Sequence, residues 1–417
     1  MNTSFSPVAA PERHVLLDIL RGFAIFGILM VNMQIFYRPT SLMLVGYTGS
    51  ADTAGMVSEA FIKFFFEGKF YVLFSMLFGY GFWIFLNKKS NEPGIIPLFR
   101  RRLFILLLIG IAHVVLLWPG DILVFYALFG FILLLFRRKS DRGLVKWAVW
   151  IALVPVMLSL LMFLMSTLAS LNPEAKAAFE NSTIERMEYL TAFIADATRT
   201  YSEGSFSQLV QVRLKEYQLL LPGILFFYPV VLAMFLLGVW AARKGLIAHY
   251  KDHIPFFRKS LWVGLVIGTT ASLIYVYSYF SADGTGMDLT SLLAIFTHIA
   301  AGFFLCLFYV SAITLLYHYG KLTIGKYLAP VGRMALTNYL LQSVICTTLF
   351  LPYGFGLFGQ ITVFQGILLS ILIFGLQIPF SMWWLSHYNY GPAEWLWRSL
   401  TYLKWQPLKK SVPSIAG

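Results

Sequence analysis

The sequence predicts an all-α, polytopic membrane helix bundle with about ten transmembrane helices and both termini in the cytoplasm. Three observations carry this. Hydrophobic residues fill 59% of the 417 positions and charged residues only 12%, a balance that cannot cover a soluble surface of that size. Apolar runs close to the twenty residues needed to cross about 30 Å of hydrocarbon recur along the whole chain. Every second connection between these runs is rich in Lys and Arg, the signature of cytoplasmic loops.

The first run, 15–37, is too long for the apolar core of a cleaved signal, contains Asp18 and Arg21, and lacks a small-residue cleavage site; it reads as the first spanning helix. Candidates follow at 64–86, 102–118 and 121–136. The last two are separated only by Trp118-Pro119-Gly120-Asp121, which predicts a tight helical hairpin. The remaining candidates are 146–169, 223–242, 261–281, 290–317, 333–352 and 361–385, and Pro155, Pro229 and Pro379 predict kinks within them. The connection 170–222 mixes acids with spaced apolar residues such as Leu209, Val212 and Tyr217, which predicts extracytoplasmic amphipathic helices lying on the bundle. The stretch 391–406, with Trp395, Trp397 and Tyr402, reads as an interfacial C-terminal helix. Residues 1–417 thus form a single integral membrane domain. Cys306 and Cys346 sit in apolar runs as small hydrophobes, and no metal site is expected.

The net charge of +13 would invite a nucleic-acid reading on a soluble chain. Here the basic connections, among them Lys88 and Lys89, Arg100 to Arg102, Arg137 to Lys139, Arg243 and Lys244, all fall on one side. That side holds 24 of the 32 Lys and Arg but only 6 of the 19 Asp and Glu. The excess is a topological asymmetry, so the expected partners are membrane lipids and no nucleic acid.

Ionisable and amide groups near spanning helices are costly in hydrocarbon and mark candidate chemistry. An inner layer comprises Asp18 and Arg21, Arg333, Asn338 and Gln342, with Glu394 and Arg398 after the last span. Arg21, Arg333 and Arg398 on one side suit a phosphorylated cytosolic ligand; anionic lipid headgroups suit them as well, and Asp18 with Arg21 also makes sense as a local pair. An outer layer comprises Asn32, Glu67, Lys69, His113 and Asp121, with His298 near mid-depth. His113 lies about two turns before Asp121 and the hairpin tip, so imidazole and carboxylate can share a cavity, an arrangement suited to general-base work. Asp121 alone reads better as a helix cap. His298 reads as a packing histidine, and Glu67 with Lys69, flanking Gly68, as a local surface ion pair.

Five segments resemble signature blocks of the YeiB-type bacterial inner-membrane family: "LLDILRGFAIFGILMVNM" (16–33), "FFEGKFYVLFSMLFGYGF" (65–82), "GIAHVVLLWPGDILVFYALFG" (110–130), "GRMALTNYLLQS" (332–343) and "GPAEWLWRSLTY" (391–402). The first block also resembles the opening of the wider transmembrane acyltransferase superfamily, which includes heparan-alpha-glucosaminide N-acetyltransferase. Asp18, Arg21 and Gly22 match its "LD..RG" pattern, and Asn32 matches the Asn ending the first helix of the heparan enzyme. Glycan-decorating members carry His at that helix position, and this sequence does not.

That resemblance implies a cytosolic acyl-CoA donor such as acetyl-CoA, an extracytoplasmic acceptor such as a glycan or an amine, and a bacterial cytoplasmic (inner) membrane location. Under acyl transfer, His113 is the general base or transient acyl carrier, Asp121 orients it, and Asn32 donates to the developing oxyanion. Asp18, Arg21, Arg333, Asn338, Gln342 and Arg398 are then the donor-binding set. A transporter or flippase of a small or lipid-linked solute is the alternative, weakened by the lack of inverted repeats; a sensor whose 170–222 segment binds a partner is a third. A homodimer is compatible with all three.

Overall fold

The computed structural model describes residues 14–46, 52–87, 94–282 and 288–410; Lys88 and Lys89, counted among the basic connections, lie outside them. Fifteen α-helices follow in order: α1 Val15–Asn32, α2 Thr53–Phe65, α3 Lys69–Asn87, α4 Ile95–Leu116, α5 Leu123–Leu133, α6 Asp141–Ser170, α7 Pro173–Glu203, α8 Phe206–Phe227, α9 Pro229–Arg243, α10 Ile254–Ser281, α11 Leu289–His318, α12 Gly325–Arg333, α13 Ala335–Phe350, α14 Val363–His387 and α15 Pro392–Tyr402. Among the described residues there is no strand, only an isolated bridge between Tyr388 and Lys409.

Each of the ten predicted segments is occupied by a helix, but the helices differ in reach. Among the described residues six segments are long and apolar enough to cross a membrane: Val15–Ile35, Thr53–Asn87, Asp141–Ser170, Tyr250–Ser281, Leu289–His318 and Val363–His387. The pair α8 and α9 makes a seventh if counted as one span, bent by 48°; Pro229 begins α9, where its missing N–H costs no helical bond. Leu123–Phe136 and Ala335–Phe350 are shorter apolar helices, rising roughly 21 and 24 Å at 1.5 Å per residue, and α4 carries Arg100 to Arg102 near its start. These shorter helices end inside the bundle, and each buried end needs a polar partner. The site is built from those partners.

The outward faces are apolar, and the interior, itself mostly apolar, also holds polar and charged groups. Trp150 is 69% exposed and Leu376 62%, yet Lys69, Arg213, Glu216 and Asn338 are each at most 1% exposed. Such a surface is stable only against lipid. Close helix pairs hold the bundle together. A Cβ on Gly79 of α3 would sit 2.0 Å from the Phe235 carbonyl oxygen of α9, and one on Gly238 of α9 would sit 2.0 Å from that of Met76; the two backbones touch through reciprocal glycines, a packing mode membranes favour. The 170–222 stretch folds as the end of α6, the mostly exposed α7 and most of α8, and α8 buries Leu209, Val212, Arg213, Glu216 and Leu220 against the bundle.

Candidate functional site

The turn between α4 and α5 folds His113 back onto Asp121. His113 Nδ1 lies 2.8 Å from Asp121 Oδ2, and Nε2 lies 2.8 Å from the Ser343 hydroxyl of α13. The other Asp121 oxygen accepts from the Val124 amide at 2.7 Å and so caps α5. Asp121 is therefore both the cap and the histidine's partner; the two readings of the sequence are not exclusive. Gly110, one turn before His113, makes room for it: a Cβ there would lie 2.7 Å from the Val124 nitrogen and 3.1 Å from Asp121 Oδ1. His113 is 2% exposed, Asp121 3% and Ser343 1%. A neutral imidazole carrying its proton on Nδ1 would donate to Asp121 Oδ2 and accept from the Ser343 hydroxyl at Nε2.

The C-terminus of α4, a few residues past His113, is closed by Arg213. Its Nη1 donates to the carbonyls of Leu116 at 2.9 Å and Val115 at 3.4 Å. Three residues on, Glu216 accepts from the Ser41 amide and hydroxyl, each at 2.8 Å, and from the Tyr201 hydroxyl at 2.7 Å. A cation at a helix C-terminus is electrostatically favoured, and these contacts lock α7 and α8 over the α4–α5 turn.

A cavity of about 370 Å³ runs from the end of the bundle that holds the start of α1 towards this buried pair. At its basic end stand Asp18, Arg21, Arg102, Arg333 and Arg398; its body is walled by Ile25, Ile28, Leu77, Phe78, Leu103 and Leu106; its inner end is closed by Ile122, Leu123, Tyr126 and Tyr339. That size suits a small-molecule site. The Tyr339 ring is 5.2 Å from the His113 ring, so Tyr339 stands between the cavity and the imidazole. Arg21 donates to Asp18 at 2.9 Å. Arg102 sits over Trp397, its guanidinium carbon 3.8 Å from the ring centre, while the Trp397 indole donates to the Arg102 carbonyl at 2.8 Å. Arg398 rests over Tyr390 at 4.7 Å.

Glu394 caps the N-terminus of α13. Its carboxylate accepts from the Leu336 and Thr337 amides at 2.7 and 3.2 Å and from the Thr337 hydroxyl at 2.5 Å. Burial holds this carboxyl above the usual carboxylate range, against the opposing pull of those donors. As pH rises the unfolded chain gives up its Glu394 proton first, so the stability tied to this residue is present below the ordinary Glu range and falls as pH climbs through the raised value. Glu394→Gln, which keeps an acceptor oxygen but does not titrate, is therefore expected to gain on the wild type in melting temperature as pH rises from about 4. A gap between the two that stays constant with pH contradicts this.

Not every sequence candidate meets the cavity. Asn338 and Gln342 turn towards α14: Asn338 Nδ2 donates to the Val331 carbonyl at 3.1 Å and to Ser381 Oγ at 3.0 Å, and Gln342 Nε2 donates to Gln377 Oε1 at 2.9 Å. They hold helices together. Asn32 is half-buried at the far end of α1 and is not among the cavity residues. Glu67 and Lys69 do not form the expected surface ion pair. Lys63, one helical turn before Glu67, takes that role at 2.9 Å, because α2 ends at the intervening turn and Gly68, at φ +87°, redirects the chain. Lys69 is buried and donates to the Lys63 carbonyl at 2.7 Å. His298 packs beside this cluster, its ring 4.9 Å from Tyr275, whose hydroxyl donates to Glu67 at 2.6 Å. Conversely, Ser343, Tyr339, Tyr126 and Arg102 escaped the sequence reading as site residues. Ser343 closes the quoted block 332–343, but a single Ser in an apolar helix commonly bonds its own backbone and gives no signal of its own.

Apolar outer faces, buried helix ends and an interior cavity with one basic end define a polytopic helical membrane protein with an internal cavity. Residues 241–404 match the family described as "Protein of unknown function (DUF418)". The chain is 34% identical over 429 residues to "Uncharacterized protein YxaH" of Bacillus subtilis (strain 168), covering 98% of this chain and 99% of that one. It is 31% identical over 400 residues to "Uncharacterized protein YeiB" of Escherichia coli (strain K12), covering 94% and 96%. It is 30% identical over 413 residues to "Uncharacterized 39.9 kDa protein in amylase 3'region" of Bacillus acidopullulyticus, covering 96% and 97%. The chain belongs to this YeiB-type, DUF418 family. No solved structure matches it.

Proposed function

We propose that the protein is a transmembrane acyltransferase of the bacterial cytoplasmic membrane. It moves an acyl group from a cytosolic acyl-CoA, such as acetyl-CoA, to an extracytoplasmic acceptor such as a glycan hydroxyl or an amine. The observation that carries this reading is one cavity with arginines at one end and, behind the Tyr339 wall at the other, a buried His113–Asp121 pair. Guanidinium groups suit the phosphates of the donor, and the apolar body suits a pantetheine arm carrying an acyl group. The basic end faces the cytosol if the Lys- and Arg-rich connections do. Holding the thioester in the apolar body of the cavity near a base supplies proximity and general-base catalysis, the two effects such a transfer needs.

The first test is binding. Arg333→Ala is expected to weaken acetyl-CoA binding by roughly 10- to 100-fold, since a hydrogen bond to a charged group contributes about 1.5–3 kcal/mol. Titration calorimetry on the detergent-purified protein reads this. Arg138→Ala, an exposed basic residue outside the cavity, is expected to leave it unchanged. Equal loss in both variants means that bulk surface charge, as for lipid headgroups, governs the interaction, and the donor site is wrong.

A further inference from the structure

We propose that Ser343 is a nucleophile that carries the acyl group as a covalent ester midway through the transfer, a role that rests on the acyl-donor reading above. The hydroxyl of Ser343, the imidazole of His113 and the carboxylate of Asp121 form an unbroken chain of two 2.8 Å contacts, Oγ to Nε2 and Nδ1 to Oδ2. This is the connectivity by which serine hydrolases and acyl transferases of unrelated folds activate a hydroxyl. The three come from three separate places, the end of α4, the α4–α5 turn and the middle of α13, and all are buried. Asp121 is fixed by its bond to the Val124 amide, so the ring is held by an already oriented carboxylate.

Position adds a second argument. Ser343 is one helical turn beyond Tyr339 on the same face of α13. Tyr339 closes the inner end of the cavity and packs against His113. Tyr339 lines the cavity and Ser343 does not, so the proposal requires the Tyr339 ring to swing aside for a thioester in the cavity to reach the Ser343 oxygen. The neighbouring face of the same helix, bearing Asn338 and Gln342, is fully engaged with α14, which leaves Ser343 as the polar group of α13 turned to the imidazole.

The chemistry is a double displacement. Ser343 Oγ attacks the thioester carbonyl as its proton passes to His113 Nε2. The tetrahedral adduct collapses, the carbon–sulfur bond breaks, and the leaving thiolate takes the proton from His113 to depart as the free thiol of CoA. An acceptor hydroxyl or amine then attacks the Ser343 ester, His113 accepting its proton and returning one to Ser343 Oγ. One acyl group is moved, no electrons are exchanged, and each proton is returned.

Two labels test this. Detergent-purified protein is incubated with radiolabelled acetyl-CoA, and separately with a small fluorophosphonate, which reacts with activated serines whatever the natural donor. Both are expected to mark the peptide containing Ser343. Labelling should fall to background in Ser343→Ala and by on the order of 10²-fold or more in His113→Ala and Asp121→Asn. Should Ser343→Ala fail to melt cooperatively, Ser343→Cys is alkylated with iodoacetamide instead; fast alkylation that slows when His113 is also replaced supports the proposal, and His113-independent alkylation overturns it. Acyl transfer by Ser343→Ala at the wild-type rate overturns the serine carrier and leaves direct transfer by His113 standing. Failure of the wild type to bind or consume acetyl-CoA removes the donor reading, while the fluorophosphonate result still decides whether Ser343 is a nucleophile; no labelling of folded wild type by either reagent overturns it.

Discussion

Replacing His113 by alanine is expected to lower acyl transfer by roughly 10²- to 10⁴-fold, the range contributed by a positioned general base. The protein should still fold. The substitution strips Asp121 Oδ2 and the Ser343 hydroxyl of their shared partner, which costs about 1–3 kcal/mol for polar groups left buried without one, but Asp121 keeps its bond to Val124 and α5 keeps its cap. A lowered but cooperative melt together with lost transfer is the expected pair of results. Asp121→Asn separates orientation from basicity: the amide can donate to Nδ1 and so favours the wrong tautomer, and a large loss of rate is expected there too. Acetyl-CoA binding, which depends on the far end of the cavity, should be nearly unchanged in both variants.

The second large effect is structural and acts on the opposite end of the site. A Cβ on Gly332 would lie 1.9 Å from the Asp18 carbonyl oxygen and 2.7 Å from the Gly22 nitrogen; one on Gly22 would lie 2.2 Å from the Leu328 carbonyl oxygen. Backbone meets backbone between α1 and α12, so no side chain can yield. Gly332→Ala must push apart the two helices that carry Asp18, Arg21 and Arg333. Overpacking of this kind costs about 3 kcal/mol, and acetyl-CoA affinity is expected to fall with the melting temperature. Gly375→Ala in α14, where an added Cβ meets nothing within 4 Å, is the control; it should be neutral or slightly stabilising because alanine favours helix over glycine. If both variants melt alike, the close approach of α1 and α12 does not hold the basic end together.

Much of this arrangement was legible in the residues, and the parts that were not share a cause. Hydropathy located all ten helical segments, because burial in lipid requires long apolar runs. Among the described residues six segments, or seven with α8 and α9 counted as one, are long and apolar enough to cross a membrane; hydropathy registers composition and not where a helix stops, as where Glu394 fixes the start of a short α13. The His113–Asp121 pair was readable because a tight reversal brings residues eight apart together. The rotation of a helix about its axis was not. Asn338 and Gln342 lie on one face of α13 and Tyr339 and Ser343 on the next, one residue round; in an apolar helix without a solvent-facing side, nothing in the pattern says which face meets the cavity. Glu394 read as one more interfacial charge, since a cap donated from a different helix leaves no local spacing. Glu67 was paired with Lys69 by nearness in sequence, whereas helical geometry favours Lys63 at four residues.

In the proposed mechanism one cavity connects a donor site at the arginines to the His113 centre. A density map of the protein with a non-hydrolysable acyl-CoA analogue decides this. Phosphate density is expected against Arg21, Arg333 or Arg398 and the acyl end against Tyr339, with the ring displaced towards or away from His113. An empty cavity at saturating analogue, or density only at the Lys63–Glu67–His298 cluster, would contradict it.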